Sequence, residues 1–248
     1  MQACGAFHAL MPILPTVNDK LYTMIFPVTA VKQGILGSLL FITFPCFAQK
    51  QTVIIPNLPE WVQQKKITAV NRNVSVRYTK DQKIALHLDE KPGPGMVWLN
   101  GIGFSNGTIA FDVKGKNLPG RSFVGIAFHR KGAGYDAVYF RPFNFRAPAA
   151  LKKSHAVQYI SYPGHEWHVL RQAHPGEYEN AIVPAPDPEA WFHVRIVVGN
   201  PVISVYVNGD KKPCLRVNKL DDRKEGGLGF WVGNGSGGDF ANLKITGD

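Results

Sequence analysis

Short runs of β-branched and aromatic residues, each closed by a cluster of Gly, Pro, Asn or Asp, follow one another along most of this chain. They are Val74–Tyr78, Ile84–Leu88, Thr108–Val113, Phe123–His129, Ala137–Arg141, Ala156–Ile160, Trp191–Val198, Val202–Asn208, Leu228–Val232 and Phe240–Ile245. Runs of this length and spacing predict an all-β sandwich or barrel, since alternating β and α units would show helical periods between the strands. Past residue 48 no stretch keeps a helical period beyond one or two turns. Asn208-Gly209-Asp210 is a hairpin-type turn signal. With no linker and no internal repeat, one β domain is expected over residues 49–248.

Period-two alternation assigns the faces of these strands. Phe192, Val194, Ile196 and Val198 read as core, with Trp191, His193 and Arg195 behind them. Val124, Ile126 and Phe128 read as core, with Phe123, Gly125, Ala127 and His129 on the reverse. Val138 and Phe140 read as core, with Tyr139 and Arg141 on the reverse. That second face mixes Tyr, Trp, Arg and His with small residues, the composition of a shallow binding surface.

The first part of the chain reads differently. Gly34–Ala48, GILGSLLFITFPCFA, carries no charge, follows Lys32 and ends in Cys46-Phe47-Ala48. A basic residue, an apolar run and a small-residue cleavage site describe a secretory signal. The run is shorter than the roughly 20 apolar residues of a membrane span, so a transmembrane anchor is the weaker reading. Residues 1–48 are therefore expected to be an upstream leader plus signal peptide, with Met24 a plausible start and cleavage after Ala48. The product would be secreted or periplasmic, with no transmembrane segment.

The formal charge of +10 falls to +9 without those residues, because only Lys20, Lys32 and Asp19 leave with them. A basic surplus invites nucleic acid, but Lys65-Lys66, Lys152-Lys153 and Lys211-Lys212 are scattered doublets at expected turns and form no stripe. Of the cysteines, Cys4 and Cys46 fall in the leader. Cys214 then stands alone, so no intrachain disulfide forms, and it reads as a small residue near a strand end.

Two segments carry a resemblance. FVGIAFHRKGAGYDAVYFRPFNFR spans Phe123–Arg146, and GGLGFWVGNGSGGDFANLKI spans Gly226–Ile245. A strand, G-x-G-x-W, a glycine-rich loop and a closing F-x-N-L-x-I resemble the concanavalin A-like lectin and glucanase jelly rolls. Within that superfamily the chain looks closest to the 3-keto-disaccharide hydrolase-like domains of secreted bacterial proteins, distantly similar to family 16 glucanases. The resemblance implies a two-sheet jelly-roll β-sandwich, a carbohydrate ligand and cleavage of a glycosidic bond. A non-catalytic lectin-like module is the competing expectation. It also allows a structural calcium ion, with no other cofactor.

Family 16 chemistry uses E-x-D-x-x-E on one strand, which holds two carboxylates about 5–5.5 Å apart. Thr108–Val113, TIAFDV, offers only Asp112, so that mechanism does not transfer. A 3-ketone acidifies the neighbouring C–H, and elimination then needs one base and one polarising group. Glu177, Glu179, Asp136 and Glu166 are the candidate acid or base groups. Glu177 and Glu179 would share a strand face at roughly 6.5–7 Å, the competing reading being two solvated carboxylates in a Pro-Gly turn. Arg141, Asn144, Arg146, His155, Gln158, Tyr159, Tyr139, His129 and Trp231 are the candidate sugar-gripping residues, since guanidinium and amide groups fork onto hydroxyls and aromatic faces stack on pyranose rings.

Other motifs are set aside on their spacing. His165-Glu-Trp-His168 lacks H-E-x-x-H, and no helix is expected there to gather zinc ligands. Gly233–Gly238 fits G-x-G-x-x-G, but a strand and not a helix follows it, which removes a dinucleotide site.

Overall fold

The computed structural model describes residues 51–247. The expected leader and signal, Met1–Ala48, lie outside the described residues. In chain order the first elements are β1 (Thr52–Ile54), α1 (Leu58–Gln63), β2 (Ile67–Val70), β3 (Val74–Tyr78), β4 (Ile84–Leu88), β5 (Gly95–Phe104) and β6 (Gly107–Lys114). Next come β7 (Val124–Lys131), β8 (Gly134–Phe140), α2 (Pro142–Phe145), α3 (Ala150–Lys153), β9 (Val157–Tyr162) and α4 (Trp167–Ala173). The last are β10 (Glu179–Asn180), β11 (Phe192–Val198), β12 (Val202–Val207), β13 (Leu215–Asn218), β14 (Gly226–Val232) and β15 (Gly238–Gly247).

These strands make two antiparallel sheets. One runs β13-β12-β11-β6-β15-β4-β3, with β1 also on β15, and the other runs β10-β9-β8-β7-β14-β5-β2. Strands adjacent in sequence are often split between the sheets, as β6 and β7 are, which makes the sandwich a jelly roll rather than a meander.

Alternation decides what lies between the sheets. Phe192, Val194, Ile196 and Val198 are buried while His193 is exposed, as the sequence pattern requires. Aromatic rings lock the layers together. Phe230 of β14 stacks on Phe240 of β15 at 4.5 Å, and Phe140 of β8 meets Phe192 of β11 edge-on at 5.2 Å. Each such buried side chain contributes roughly 1.5–3 kcal/mol by leaving water. After β12 the chain reverses through Asn208 and Gly209, both at positive φ, as the Asn-Gly signal anticipates.

The expectation of no helix around His165–His168 is corrected. α4 forms from Trp167, and Trp167 and Arg171 lie one turn apart, with the guanidinium carbon 5.0 Å from the indole centroid.

Candidate functional site

A single cross-strand row builds the floor of the site. In the seven-stranded sheet Trp231 pairs with Gly125, Gly125 with Tyr139, Tyr139 with Gln158, and Gln158 with Glu179. Residues in register share one face, here the face turned away from the core. Trp231 and Tyr139 belong to strands that are not neighbours, yet their rings approach to 4.7 Å because Gly125 between them has no side chain.

Loops raise walls over this row. β8 ends at Phe140, and Arg141 leads into α2, which supplies Phe143 and Asn144; His155 precedes β9, and α4 supplies Trp167 and Arg171. Asn234 comes from the glycine-rich loop after β14. Together with Phe123, Tyr139 and Trp231 these groups line a cavity of about 520 Å³, within the size range of sites for small organic ligands. Phe143 stands edge-on to Phe123 at 5.5 Å.

The glycine-rich loop is held by Arg72, a buried side chain that sequence reasoning did not single out. Its guanidinium donates to the carbonyls of Gly93, Gly233 and Ser236 at 2.8, 2.8 and 3.2 Å. Asn234 Oδ1 accepts from the Gly93 amide at 2.6 Å. That wall is therefore fixed before any ligand arrives.

Electrostatics under the cavity centre on Glu179, which is buried and accepts from Arg171 Nε at 2.9 Å and Nη2 at 2.6 Å. Arg141 Nη1 is 3.7 Å from the same carboxylate, and Nη1 and Nη2 donate to the His155 carbonyl, the Tyr139 hydroxyl and Gln158 Oε1 at 2.8, 2.8 and 2.7 Å. His155 Nδ1 lies 2.8 Å from Glu179 Oε1, close in distance but misaligned for a hydrogen bond. Burial lowers the proton affinity of His155, with Glu179 opposing the shift, so the ring favours its neutral form. Burial likewise pushes the Tyr139 phenol up to about 12, so it stays protonated.

The expected site residues divide into three groups. Tyr139, Arg141, Asn144, His155 and Trp231 meet around the cavity, with Gln158 and Glu179 directly beneath. Asp136, His129 and Tyr159 do not join them. Tyr159 neighbours Gln158 in an extended strand and so points to the opposite face, into the sandwich. Asp136 has the same parity and accepts from Tyr159 Oη at 2.9 Å. His129 was expected on the outer face, but a bulge after Phe128 and a positive φ turn its ring inward, between Asp136 Oδ2 at 3.0 Å and the Ser105 carbonyl at 2.6 Å.

The third group is peripheral. Glu177 stays in the turn before β10, exposed and 3.0 Å from His174 Nδ1, so it does not share a strand face with Glu179. Glu166 occupies the N-cap of α4 without a capping bond, and Arg146 is exposed, paired with Asp187 at 3.3 Å. Phe143, Trp167, Arg171 and Asn234 line the cavity without having been anticipated. The i, i+4 spacing of Trp167 and Arg171 in WHVLRQA is a local signal that could have found those two.

Among the described residues, no three His, Cys, Asp or Glu side chains converge in a metal-holding arrangement. Nor is any described helix long and apolar enough to cross a membrane.

No protein-family model matches the sequence, and no curated protein matches it. Solved structures match it by shape. Carbohydrate-binding module CBM66 from Bacillus subtilis superposes with a TM-score of 0.51 at 13% identity, over 73% of this chain and 95% of that one. The fold is the concanavalin A-like jelly roll. The Bacillus licheniformis β-glucanase follows at a TM-score of 0.46 and 13% identity, over 73% of this chain and 92% of that one. The exoplasmic/lumenal domain of VIP36, in a Ca2+/Man3GlcNAc-bound form, gives 0.49 and 12%, over 74% and 84%. At these identities the likeness is one of fold alone.

Proposed function

We propose that this chain is an exported carbohydrate-binding protein that takes a glycan into the cavity over the Trp231–Tyr139 pair. The observation that carries the reading is the lining itself, in which aromatic faces alternate with forked donors. Trp167, about half exposed at the rim, offers a ring face to the apolar side of a sugar. Arg141, Arg171, Asn144 and Asn234 offer its hydroxyls the donors and acceptors that their bonds within the protein leave over. The fold shared with a carbohydrate-binding module agrees with this reading. Recognition of this kind rests on side chains and calls for no cofactor. The uncharged run Gly34–Ala48 supports export, with Gln49–Asp248 as one mature β domain.

Calorimetry against a glycan panel tests it. The folded chain should bind at least one member, and Trp167→Ala should weaken that binding about tenfold, the scale of one lost stacking contact. Unchanged affinity in Trp167→Ala, or no binding to any glycan, rejects the assignment.

A catalytic reading has one observation in its favour: a neutral imidazole, His155, lines the cavity with Glu179 at its Nδ1. No Asp or Glu is among the cavity-lining residues, and Glu179 has both oxygens occupied by Arg171, so a hydrolytic carboxylate pair is not supported. With a 3-keto-disaccharide, His155 Nε2 would take the proton from the carbon between the ketone and the anomeric centre. The glycosidic C–O bond would break, the leaving oxygen would be protonated from solvent, and a guanidinium would steady the enolate oxygen. Turnover should vanish in His155→Asn and should rise with pH through a value below 6.5, as the imidazole loses its proton. If 3-keto-disaccharides survive incubation with folded protein, catalysis falls and binding stands.

A further inference from the structure

The cavity does not end at its floor. Phe143 and Asn144 form a wall shared with a second cavity of about 360 Å³, lined also by Arg146, Lys152 and the prolines 119, 148 and 188. Apart from Tyr139, whose phenol stays protonated, the ionisable groups lining the two cavities are cationic or imidazole: Arg141, Arg171 and His155 in the first, Arg146 and Lys152 in the second.

Counter-ions are fewer than cations. Glu179 is engaged on both oxygens by Arg171, and Asp187 is engaged by Arg146. Arg141, only 5% exposed, has neutral acceptors for its donors and stands 3.7 Å from a carboxylate that Arg171 already neutralises. A buried guanidinium that shares its one carboxylate with a second guanidinium is costly unless a further anion is delivered. Burial lowers its proton affinity, the sign of that cost. The same cluster holds an orphan donor, since Gln158 Nε2 is buried without a partner. Donors thus outnumber acceptors beneath the first cavity, and nothing negative lines the second.

We propose that the glycan bound here is acidic: an oligosaccharide bearing carboxylate or sulfate groups, with one such group met by Arg141 and Arg171 and the next by Arg146 and Lys152. This rests on the carbohydrate reading above and adds the chemical class of the ligand. A sugar ring against the aromatic wall places its ring substituents toward the guanidiniums, and a neighbouring residue passes over Phe143 into the basic pocket. Planar guanidinium forks match both carboxylate and sulfate oxygens.

The test is an oligosaccharide array probed with the full chain, in which each acidic backbone is paired with a charge-blocked form. Suitable pairs are oligogalacturonate with its methyl ester, hyaluronan with its amidated form, and carrageenan oligosaccharide with its desulfated form. Acidic members should bind at least about fivefold more tightly than their blocked partners, and the preference should shrink as salt rises. Whether the uronate or the sulfate pairs respond identifies the anion. The double variant Arg146→Ala/Lys152→Ala should lose most of the preference. Lys211→Ala/Lys212→Ala, which removes the same charge from residues that line neither cavity, should keep it. Blocked or neutral members binding as tightly as acidic ones would overturn the acidic ligand while leaving carbohydrate binding intact. Binding to no member, with circular dichroism showing folded protein, would overturn both.

Discussion

A carboxylate stripped of water keeps its charge only where donors replace what it lost. Asp136 is fully buried, and burial alone would raise its proton affinity. Bonds from His129, Tyr159 and Ser161, with the charge of Arg223, more than offset that and hold it below the ordinary value of 3.8. Arg223 Nη2 lies 3.3 Å from it and also donates to Ser161 Oγ at 2.7 Å. The group thus ties β7, β8, β9 and the Arg223 loop together inside the sandwich, which is a structural task. Asp136→Ala should cost about 3–5 kcal/mol in urea unfolding, because it strands Arg223 without its buried partner. Asp136→Asn should show the pH sign of the same effect. A carboxylate with a depressed affinity stabilises the fold fully above its unfolded value and loses that contribution as pH falls through its folded value. The stability gap between the parent and Asp136→Asn should therefore be flat near neutrality and close as pH falls through and below 3.8. A gap of the same size in strong acid would refute the account.

At the scale of elements, the outer face of the seven-stranded sheet depends on a residue with no side chain. A Cβ on Gly125 would lie 2.6 Å from Tyr139 Cα and would also meet the Val138 carbonyl. Gly125→Ala should thus cost about 1–3 kcal/mol by overpacking, part the Tyr139–Trp231 pair and weaken glycan binding about tenfold. Near-UV circular dichroism and calorimetry read both effects, and an alanine variant with the parent spectrum and affinity would remove Gly125 from the site's construction. Strand parity was legible because it is local: Tyr139 and Arg141 line the cavity while Phe140 packs on Phe192 of the other sheet. It failed for His129, since a bulge is set by the partner strand, but it holds for Tyr159, whose grouping with Gln158 by sequence nearness runs against it. β5 escaped notice because glycines at 95, 101 and 103 mask a ten-residue strand as turn. Arg72 had no local signal for its role: the loop carbonyls it holds are 161 and 164 positions away, and Gly93 is 21 away.

For the whole molecule, the fold was legible because every strand repeats one message and any few of them suffice. The site was legible only in part: Tyr139, Arg141, Asn144, His155 and Trp231 were within reach, but separate loops complete it and none carries the pattern alone. The two sheets share a core at Phe111, Phe230 and Phe240, and an edge contact joins them where Asn180 Nδ2 of β10 donates to the Cys214 carbonyl at 2.9 Å, just before β13. Cys214 Sγ faces the Val205 carbonyl at 3.4 Å, and burial pushes its thiol from 9.0 up to about 12. The reactive thiolate is then scarcer than in an exposed thiol near neutral pH. Cys214 is half-buried, and full exposure of its thiol requires β13 to leave β12 at this edge. Native protein should therefore label at Cys214 far more slowly than unfolded chain, with the site resolved by peptide mass spectrometry. In urea, labelling should rise with the same midpoint as the loss of far-UV circular dichroism, because one core holds both sheets. Labelling that precedes the spectroscopic transition would mean that β13 and β10 separate on their own, and that the sandwich is not a single cooperative unit.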